Sequence, residues 1–512
     1  MKPLILFLFL LSQISFAQVI HQISFDRFSH YDADDWITYA YSNHITSIDI
    51  GSENIYFGTS HGGILRYNFF DEEWLYPQTT SNGLHSNRIK RVVFDTATNQ
   101  LFALTPKGVQ VFNKAFEYWQ NAGPELPART INRPTENPGN TRFPALSRPI
   151  LSSWPNFIVD DNYELMLDGL IYNPDNEEYR VGERIVDRWY KMWIATNGTG
   201  IGLADFDMVE LKFIKQSTPA IHTKDVLVTA DNIWVAGTPF KEKERGIARW
   251  NFEDDSWDYF KSGINFNIFS DDIRVIENIG SQIFFGTEQG LLQYNSKRDE
   301  WISLQKANPL KNDVIYDLDH LDGLLYIASE NGAFKYDYKM LNMENVGKKF
   351  LHQTKVNKIT NTSNNVYLAT DRGIFEYNPQ KDKTSLLDSH AAIADNFIDA
   401  IGANNDTLWF ASQKGIGFYD ITNGDWKSFP ATNFRLNSKI NDITFSDWYV
   451  WFATNKGLLK YDKERDYWYL YTKKDGLADN RVFNIDVDGD HLWLSTFKGV
   501  TLFRWYREGR FE

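Results

Sequence analysis

The 512-residue chain has no cysteine, so neither a disulfide framework nor acylation of a lipoprotein cysteine is available to it. Stability has to come from the core. Basic residues are also in short supply, 53 Lys and Arg against 67 Asp and Glu, for a net charge of −14. Phosphate binding needs a basic footprint, so a nucleic-acid partner is not expected, and an anionic membrane surface is disfavoured. Beyond the N-terminus, no stretch approaches the about 20 apolar residues that a membrane span requires. No serine sits in a Gly-x-Ser-x-Gly elbow, and the ten histidines are scattered with no His-x-x-x-His pair. Nucleophilic and metal catalysis are therefore not indicated, and neither a cofactor nor a metal site is expected. Asp486-Val487-Asp488-Gly489-Asp490 has oxygen ligands at alternate positions, but the later ligands of a calcium loop are missing, and it reads as a tight Asp-Gly turn.

What the chain does have is aromatic residues, 16% of the total, and a hydrophobic fraction of 42%, ample for a large core. At the N-terminus, Lys2, the apolar run Leu4 to Leu11 and Ser15-Phe16-Ala17 form the layout of a secretory leader. Cleavage after Ala17 is expected, leaving a mature chain that starts at Gln18.

Self-comparison finds one phrase ten times: a strand with a central aromatic, a turn, a glycine, and a second strand ending in an aromatic. The central aromatics are Tyr56, Phe102, Trp193, Trp234, Phe284, Tyr326, Tyr367, Trp409, Trp451 and Trp493, spaced by 46, 91, 41, 50, 42, 41, 42, 42 and 42 residues. A period near 42 with alternation inside each strand predicts four-stranded units in radial or linear repetition. In seven units a glycine falls six residues after the aromatic, from Gly108 to Gly499, as a positive-φ turn position requires. Trp74, Trp257, Trp301, Trp426 and Trp468 recur in the fourth strand, where their bulk would fill the wedge between units.

Trp451-Phe452-Ala453-Thr454, Gly457-Leu458 and Tyr461-Asp462 resemble the two-component regulator propeller repeat, and the likeness runs through nearly the whole mature chain. The resemblance implies a β-propeller, and in that family such repeats often form periplasmic sensing domains of hybrid histidine kinases. The expectation here is a stand-alone exported member without a kinase. The last unit lacks a fourth strand of its own, whereas Asp35-Trp36 followed by Ile37-Thr38-Tyr39 reads like one. The N-terminal strand is therefore expected to complete the last blade and close a single ring of about ten blades, with two smaller propellers as the alternative.

Residues 127–182 interrupt the period. Their first part is proline-rich, and the second, Tyr163-Leu167 and Leu170-Tyr172 about Asp168-Gly169, predicts a type I′ hairpin placed as a decoration on the rim. Pro239 to Arg245 is a smaller insertion in the fourth unit.

The residue before the turn glycine is basic in six units: Lys107, Arg245, Arg372, Lys414, Lys456 and Lys498. The last four come from consecutive units and would form a basic arc on one face of an acidic protein. These features predict a non-catalytic binding, sensing or scaffold propeller of a Gram-negative envelope, in the periplasm or at the outer membrane. Its partner would be a glycan or an envelope protein, with an anionic one meeting the arc of Arg372, Lys414, Lys456 and Lys498. The alternative is a polysaccharide lyase or glycosidase, for which carboxylates are abundant but no spacing identifies a pair.

Overall fold

The computed structural model describes residues 20–22, 30–115, 117–128, 158–159, 163–204, 210–239, 244, 246–263, 265–302, 304, 310, 312–387, 397–404, 406–430, 438–508 and 510. The expected leader, most of the proline-rich segment and Arg245 lie outside these residues.

Ten antiparallel four-stranded sheets follow one another along the chain: blade 1 (45–78), blade 2 (91–121), blade 3 (178–214), blade 4 (223–260), blade 5 (273–302), blade 6 (315–346), blade 7 (356–386), blade 8 (398–430), blade 9 (440–471) and blade 10 (482–504). Each blade but the second buries its second strand on both faces; in Gln100–Thr105 of blade 2, Phe102 and Leu104 are half-buried. Tyr449–Thr454 of blade 9, for example, is buried from Val450 onward, with Trp451 and Phe452 wholly inside. The fourth-strand tryptophans fill the wedges as their spacing suggests. Trp468 of blade 9 lies 4.4 Å from Tyr461 and 5.3 Å from Phe429 of blade 8, and Trp301 of blade 5 lies 5.3 Å from Phe260 of blade 4.

The closing strand is where the sequence places it. Trp36–Tyr39 pairs antiparallel with the last strand of blade 10, in the register Trp36 to Phe503 and Tyr39 to Val500. Gly499, with φ +118°, makes this possible, because a Cβ there would stand 2.2 Å from the carbonyl oxygen of Tyr39. The N-terminus adds a further strand, Ile20–His21, parallel to Trp468 and Tyr469 of blade 9.

The even period does not reveal how the ten blades are shared, and the structure corrects the expectation of one ten-bladed ring. The innermost strand of blade 10 packs against that of blade 4, so blades 4 to 10 form a ring of seven. Val226, Ile233 and Val235 of blade 4 share a core with Trp493 and Val500 of blade 10. Across the same junction Thr223 Oγ1 donates to the carbonyls of Thr496 and Gly499, both at 2.9 Å.

Blades 1 to 3 form a separate arc in the spatial order 3, 1, 2, since the first strand of blade 1 packs against both neighbours. Isoleucines 45, 48 and 55 and Phe57 of blade 1 pack with Trp193, Ala195 and Ile201 of blade 3, while Tyr56 and Ile64 pack with Phe94, Leu101 and Trp119 of blade 2. Among the described residues, no blade packs on the far side of blade 3. Val159 and Leu165 from the insertion cover Ile194, Ala204 and Leu211 there.

The hairpin in the insertion forms, with Glu164–Leu165 against Leu170–Tyr172, but it differs from expectation in two respects. Only Gly169 has positive φ, and Met166 pairs with Leu170, giving a three-residue loop in place of the type I′ turn. The hairpin also extends the innermost strand of blade 3, with Leu170 opposite Arg180, so it sits on the axial edge of the blade and not on the rim.

Ring and arc meet beside the closing strand. Thr38 Oγ1 lies 2.6 Å from Ser81 Oγ, Ser81 donates to the Gly476 carbonyl at 2.6 Å, and the Ser42 amide donates to Ser217 Oγ at 2.9 Å.

Candidate functional site

In every blade but the fourth, whose second strand ends in Gly237, the turn between second and third strands is held by a hydroxyl. Thr454 Oγ1 donates to the Gly457 carbonyl at 2.7 Å and accepts from the Lys456 amide at 2.9 Å, and Thr370 with Arg372 and Thr496 with Lys498 repeat the arrangement. At blade 8, Ser412 Oγ accepts from the Lys414 amide at 3.1 Å. The basic side chains therefore project from equivalent points of four adjacent blades, and all four are exposed. They are not equally available. The Arg372 guanidinium donates to the Phe350 carbonyl and to Thr354 Oγ1, and Lys498 Nζ lies 3.7 Å from Asp479. Lys107, on the arc, approaches the same region: Lys473 is held below the usual lysine range by burial, then by Lys498, with Lys107 adding to the effect.

These tips share a face with the starts of the innermost strands. The amide of Asn455 donates to the Lys439 carbonyl at 3.2 Å, and that of Phe497 to the Arg481 carbonyl at 3.1 Å. The channel mouth on this face carries Lys224, Arg274, Lys439 and Arg481. Burial lowers the Lys224 pKa, Asp272 opposes the shift, and Arg274, Lys439 and Arg481 lower it further. Aromatic rings support these cations, with Lys224 Nζ 4.3 Å from the Phe483 ring centre and the Arg481 guanidinium 3.1 Å from that of Phe497. Asp272, Asp399 and Asp479 are interleaved among them, so the positive field comes from mouth and tips together.

The channel turns acidic at its waist. In the ring each innermost strand has a register shift near its start, and the residue just beyond it is Asp225 in blade 4, Asp317 in blade 6, Lys358 in blade 7 and Asp442 in blade 9. Lys358 Nζ donates to Asp317 at 3.2 Å and to Asp442 at 3.0 Å, spanning from blade 6 to blade 9. The carboxylates also fasten blade to blade by accepting backbone amides. Asp225 takes that of Ile276 at 2.6 Å, Asp317 that of Ile359 at 2.8 Å, and Asp442 that of Ile485 at 3.3 Å. One step deeper, Asp486 of blade 10 accepts from Val228 of blade 4 at 2.6 Å, so the carboxylate that begins the calcium-like stretch closes the ring. In the arc, Glu183 accepts from Ile48 and Asp49 from Phe94, which continues the same sense from blade 3 to 1 to 2.

Burial raises Asp317 to about 6 and Asp319 and Asp486 to about 7, and pushes Asp225 well up. A carboxylic acid near 7 suits a general acid, but Asp225, Asp317 and Asp486 are all committed to bonds that hold blades together. Glu277, Asp319 and His320 bring their ligand atoms within 4.8 Å of one another. Their bonding is largely mutual: His320 Nδ1 lies 3.2 Å from Glu277, and the His320 amide donates to Asp319 at 2.7 Å.

The raised values have a pH consequence. A carboxyl whose folded pKa exceeds its unfolded value gives stability that is complete below the unfolded pKa and is lost as pH rises through the folded one. Asp317, Asp319 and Asp486 should therefore make the protein lose stability as pH rises from about 4 to about 7. His320, raised mainly by its bond to Glu277, acts in the same sense. In thermal melts across this range, the double variant Asp319→Asn, Asp486→Asn is expected to show a shallower fall than the wild type. Equal slopes would show that neither carboxyl titrates there.

The chain has the following likenesses. No protein-family model matches it. A histidine kinase of Formosa agariphila is 25% identical over 224 residues, which is 36% of this chain and 15% of that protein, so the chain spans a small part of the length of this relative. Among solved structures, PorZ, a surface component of the type-IX secretion system of Porphyromonas gingivalis, superposes with a TM-score of 0.55 at 12% identity, covering 92% of this chain and 87% of that one. The extracellular domain of a hybrid two-component system from B. thetaiotaomicron gives a TM-score of 0.48 at 13% identity, covering 90% of this chain and 68% of that one. The likeness to PorZ is one of fold. Among the described residues, no helix is long and apolar enough to cross a membrane.

The sequence placed the four tips at equivalent turns of adjacent blades and pointed to neither the mouth nor the waist. Lys224 and Arg274 stand one residue after, and Lys439 and Arg481 one residue before, the first paired residue of their strands, so each position contributes to the mouth from only two adjacent blades. Lys358 did leave a signal: it is the one basic residue in a column that holds Asp225, Asp317 and Asp442 and the uncharged Val275, Ala400 and Asn484.

Proposed function

We propose that this chain is an exported, non-catalytic binding propeller of a Gram-negative envelope, acting as a sensing module or an assembly scaffold, and that its tip face receives an anionic partner, an acidic glycan or an acidic protein surface. The observation that supports this reading is the coincidence, on a chain of net charge −14, of the tips Arg372, Lys414, Lys456 and Lys498 with the mouth residues Lys224, Arg274, Lys439 and Arg481 on one face. A concave mouth with low-dielectric walls focuses such a field more than a flat surface does. Below the mouth the Lys358 cluster fills the waist, which favours capture at the face over passage or chemistry within the channel.

Polygalacturonate, with dextran as the neutral control, tests the reading. Binding of the acidic polymer should weaken as the Debye length falls from about 30 Å to about 8 Å with added salt. The fourfold variant R372E/K414E/K456E/K498E should lose on the order of ten- to a hundredfold in affinity and keep its melting temperature, since no tip is core. Unchanged binding by this variant would overturn the assignment of the face.

A further inference from the structure

On the opposite face of the ring the turns between first and second strands are mostly short and polar, as at Asp322-Gly323 and Asp488-Gly489. Blade 9 departs from this with Asp447-Trp448. Trp448 is 44% exposed, and beside it the chain leaving blade 10 places Trp505 and Tyr506, the latter 46% exposed. The Trp448 ring centre lies 5.4 Å from Tyr506, inclined at 50°, and 6.0 Å from Trp505, at 74°. Trp505 is fixed from below: its indole N–H donates to the Gly489 carbonyl at 3.1 Å, and its rim meets Tyr449 and Trp451. These rings form one wall of an open groove of about 590 Å³, whose other lining includes Asn404, Asp447, Lys463 and Asp490.

The composition of this groove is informative. A surface meant only for an apolar protein face would not set a carboxylate, an amide and an ammonium among its rings. Asp490 is held by Arg504 at 3.3 Å and His491 at 2.7 Å, but among the described residues the side chains of Asp447 and Lys463 make no hydrogen bond or ion pair, and both are exposed. The blade 3 counterpart of this turn also carries an aromatic, Trp189, yet there the Arg188 guanidinium lies 4.7 Å from the Phe69 ring centre and 5.2 Å from that of Trp189, so the rings already have a cation.

We infer that the groove of Trp448, Trp505 and Tyr506 is a binding site for an uncharged carbohydrate. A pyranose has an apolar C–H face and a rim of hydroxyls. Its face can lie on the exposed Trp448 or Tyr506 ring while Asp447 accepts from neighbouring hydroxyls and Lys463 donates to another. Flat rings fixed by their own packing lose little entropy on binding, which suits a ligand that presents little apolar area. The two carboxylates disfavour an acidic sugar, so the chemistry here is opposite to that of the tip face, and the inference does not rest on the reading of that face.

Neutral tetrasaccharides of the cello, laminari, xylo, manno and malto series, titrated against the full chain with tryptophan fluorescence and calorimetry as readouts, test it. At least one should bind, and Trp448→Ala and Asp447→Asn should each weaken it about tenfold, with polygalacturonate binding at the tips unaltered. The fourfold tip variant should retain the neutral sugar. Trp448 lies on an exposed turn, and if its alanine variant melts early, Tyr506→Ala replaces it as the probe. Absence of binding across the series overturns the inference, as does binding that these variants leave unchanged or a groove whose variants lose a protein partner and no sugar.

Discussion

Replacing Lys358 with methionine is expected to destabilise the ring by about 3–5 kcal/mol, because it leaves two buried carboxylates facing each other without their shared cation. Asp317 and Asp442 are each almost wholly shielded from solvent, and each already holds the next blade through a backbone amide. They cannot turn away to find water without releasing those amides. Burial opposes the charge on Lys358, but Asp317 and Asp442 outweigh it and hold the ammonium charged, well above the usual lysine range. Removing all three charges together, as Asp317→Asn, Lys358→Met, Asp442→Asn, should recover most of the loss, since amides can still accept the backbone donors. Urea unfolding of the two variants beside the wild type checks this. A single variant as stable as the wild type would mean that the waist is open to solvent and that the cluster does not hold the ring.

Trp36→Ala is expected to cost about 3–5 kcal/mol, as for other large aromatics removed from a core. Trp36 is 2% exposed and stacks on Phe503 at 3.8 Å with an 8° tilt, and Tyr31 and Tyr471 close the site at 5.8 Å and 5.9 Å. The fit is tight enough that a Cβ on Gly476 would stand 2.3 Å from the indole. Deleting residues 18–43 goes further, since it strips the last strand of blade 10 of its backbone partner and leaves an unpaired edge from Gly499 to Arg504. The deleted protein should associate through that edge, which sedimentation would detect. A monomer with the wild-type melting temperature would show that blade 10 is complete without this strand. The same region is clasped from the C-terminal side, where Arg507 pairs with Asp32 and Asp34 and Arg510 lies 2.8 Å from Asp35.

The units, their glycine turns and the closing strand were legible because each is a local pattern: a strand, a turn with positive φ, and an aromatic at fixed offset. The partition into seven and three was not, because one blade meets the next through side chains of the same kind throughout. Trp409 against Tyr461 within the ring and Phe57 against Trp193 within the arc are similar aromatic wedges. The interval of 91 residues between Phe102 and Trp193 marked the break, but spacing alone does not tell whether blade 3 follows blade 2 or returns to blade 1. That choice is made by Ile48 and Glu183, which are 135 residues apart. The Trp448 groove was not legible, because Trp505 and Tyr506, 57 and 58 residues further on, join Trp448 only through folding.

The closing strand also sets a timetable. Thr38 and Thr501, whose hydroxyls meet at 3.2 Å, are separated by 463 residues. At a synthesis rate of about 5–20 residues per second, Trp36 would wait roughly 25–90 seconds for its partner strand to be made. Blades 4 to 9 can stack in order during that interval, but the ring stays open and the arc stays tethered by a strand with nowhere to pair. Contacts this distant in sequence slow folding and lengthen the time that edges are exposed. A chain of this topology has to be kept from pairing with its neighbours until its last forty residues are made, so assembly, more than final stability, is where it is most vulnerable.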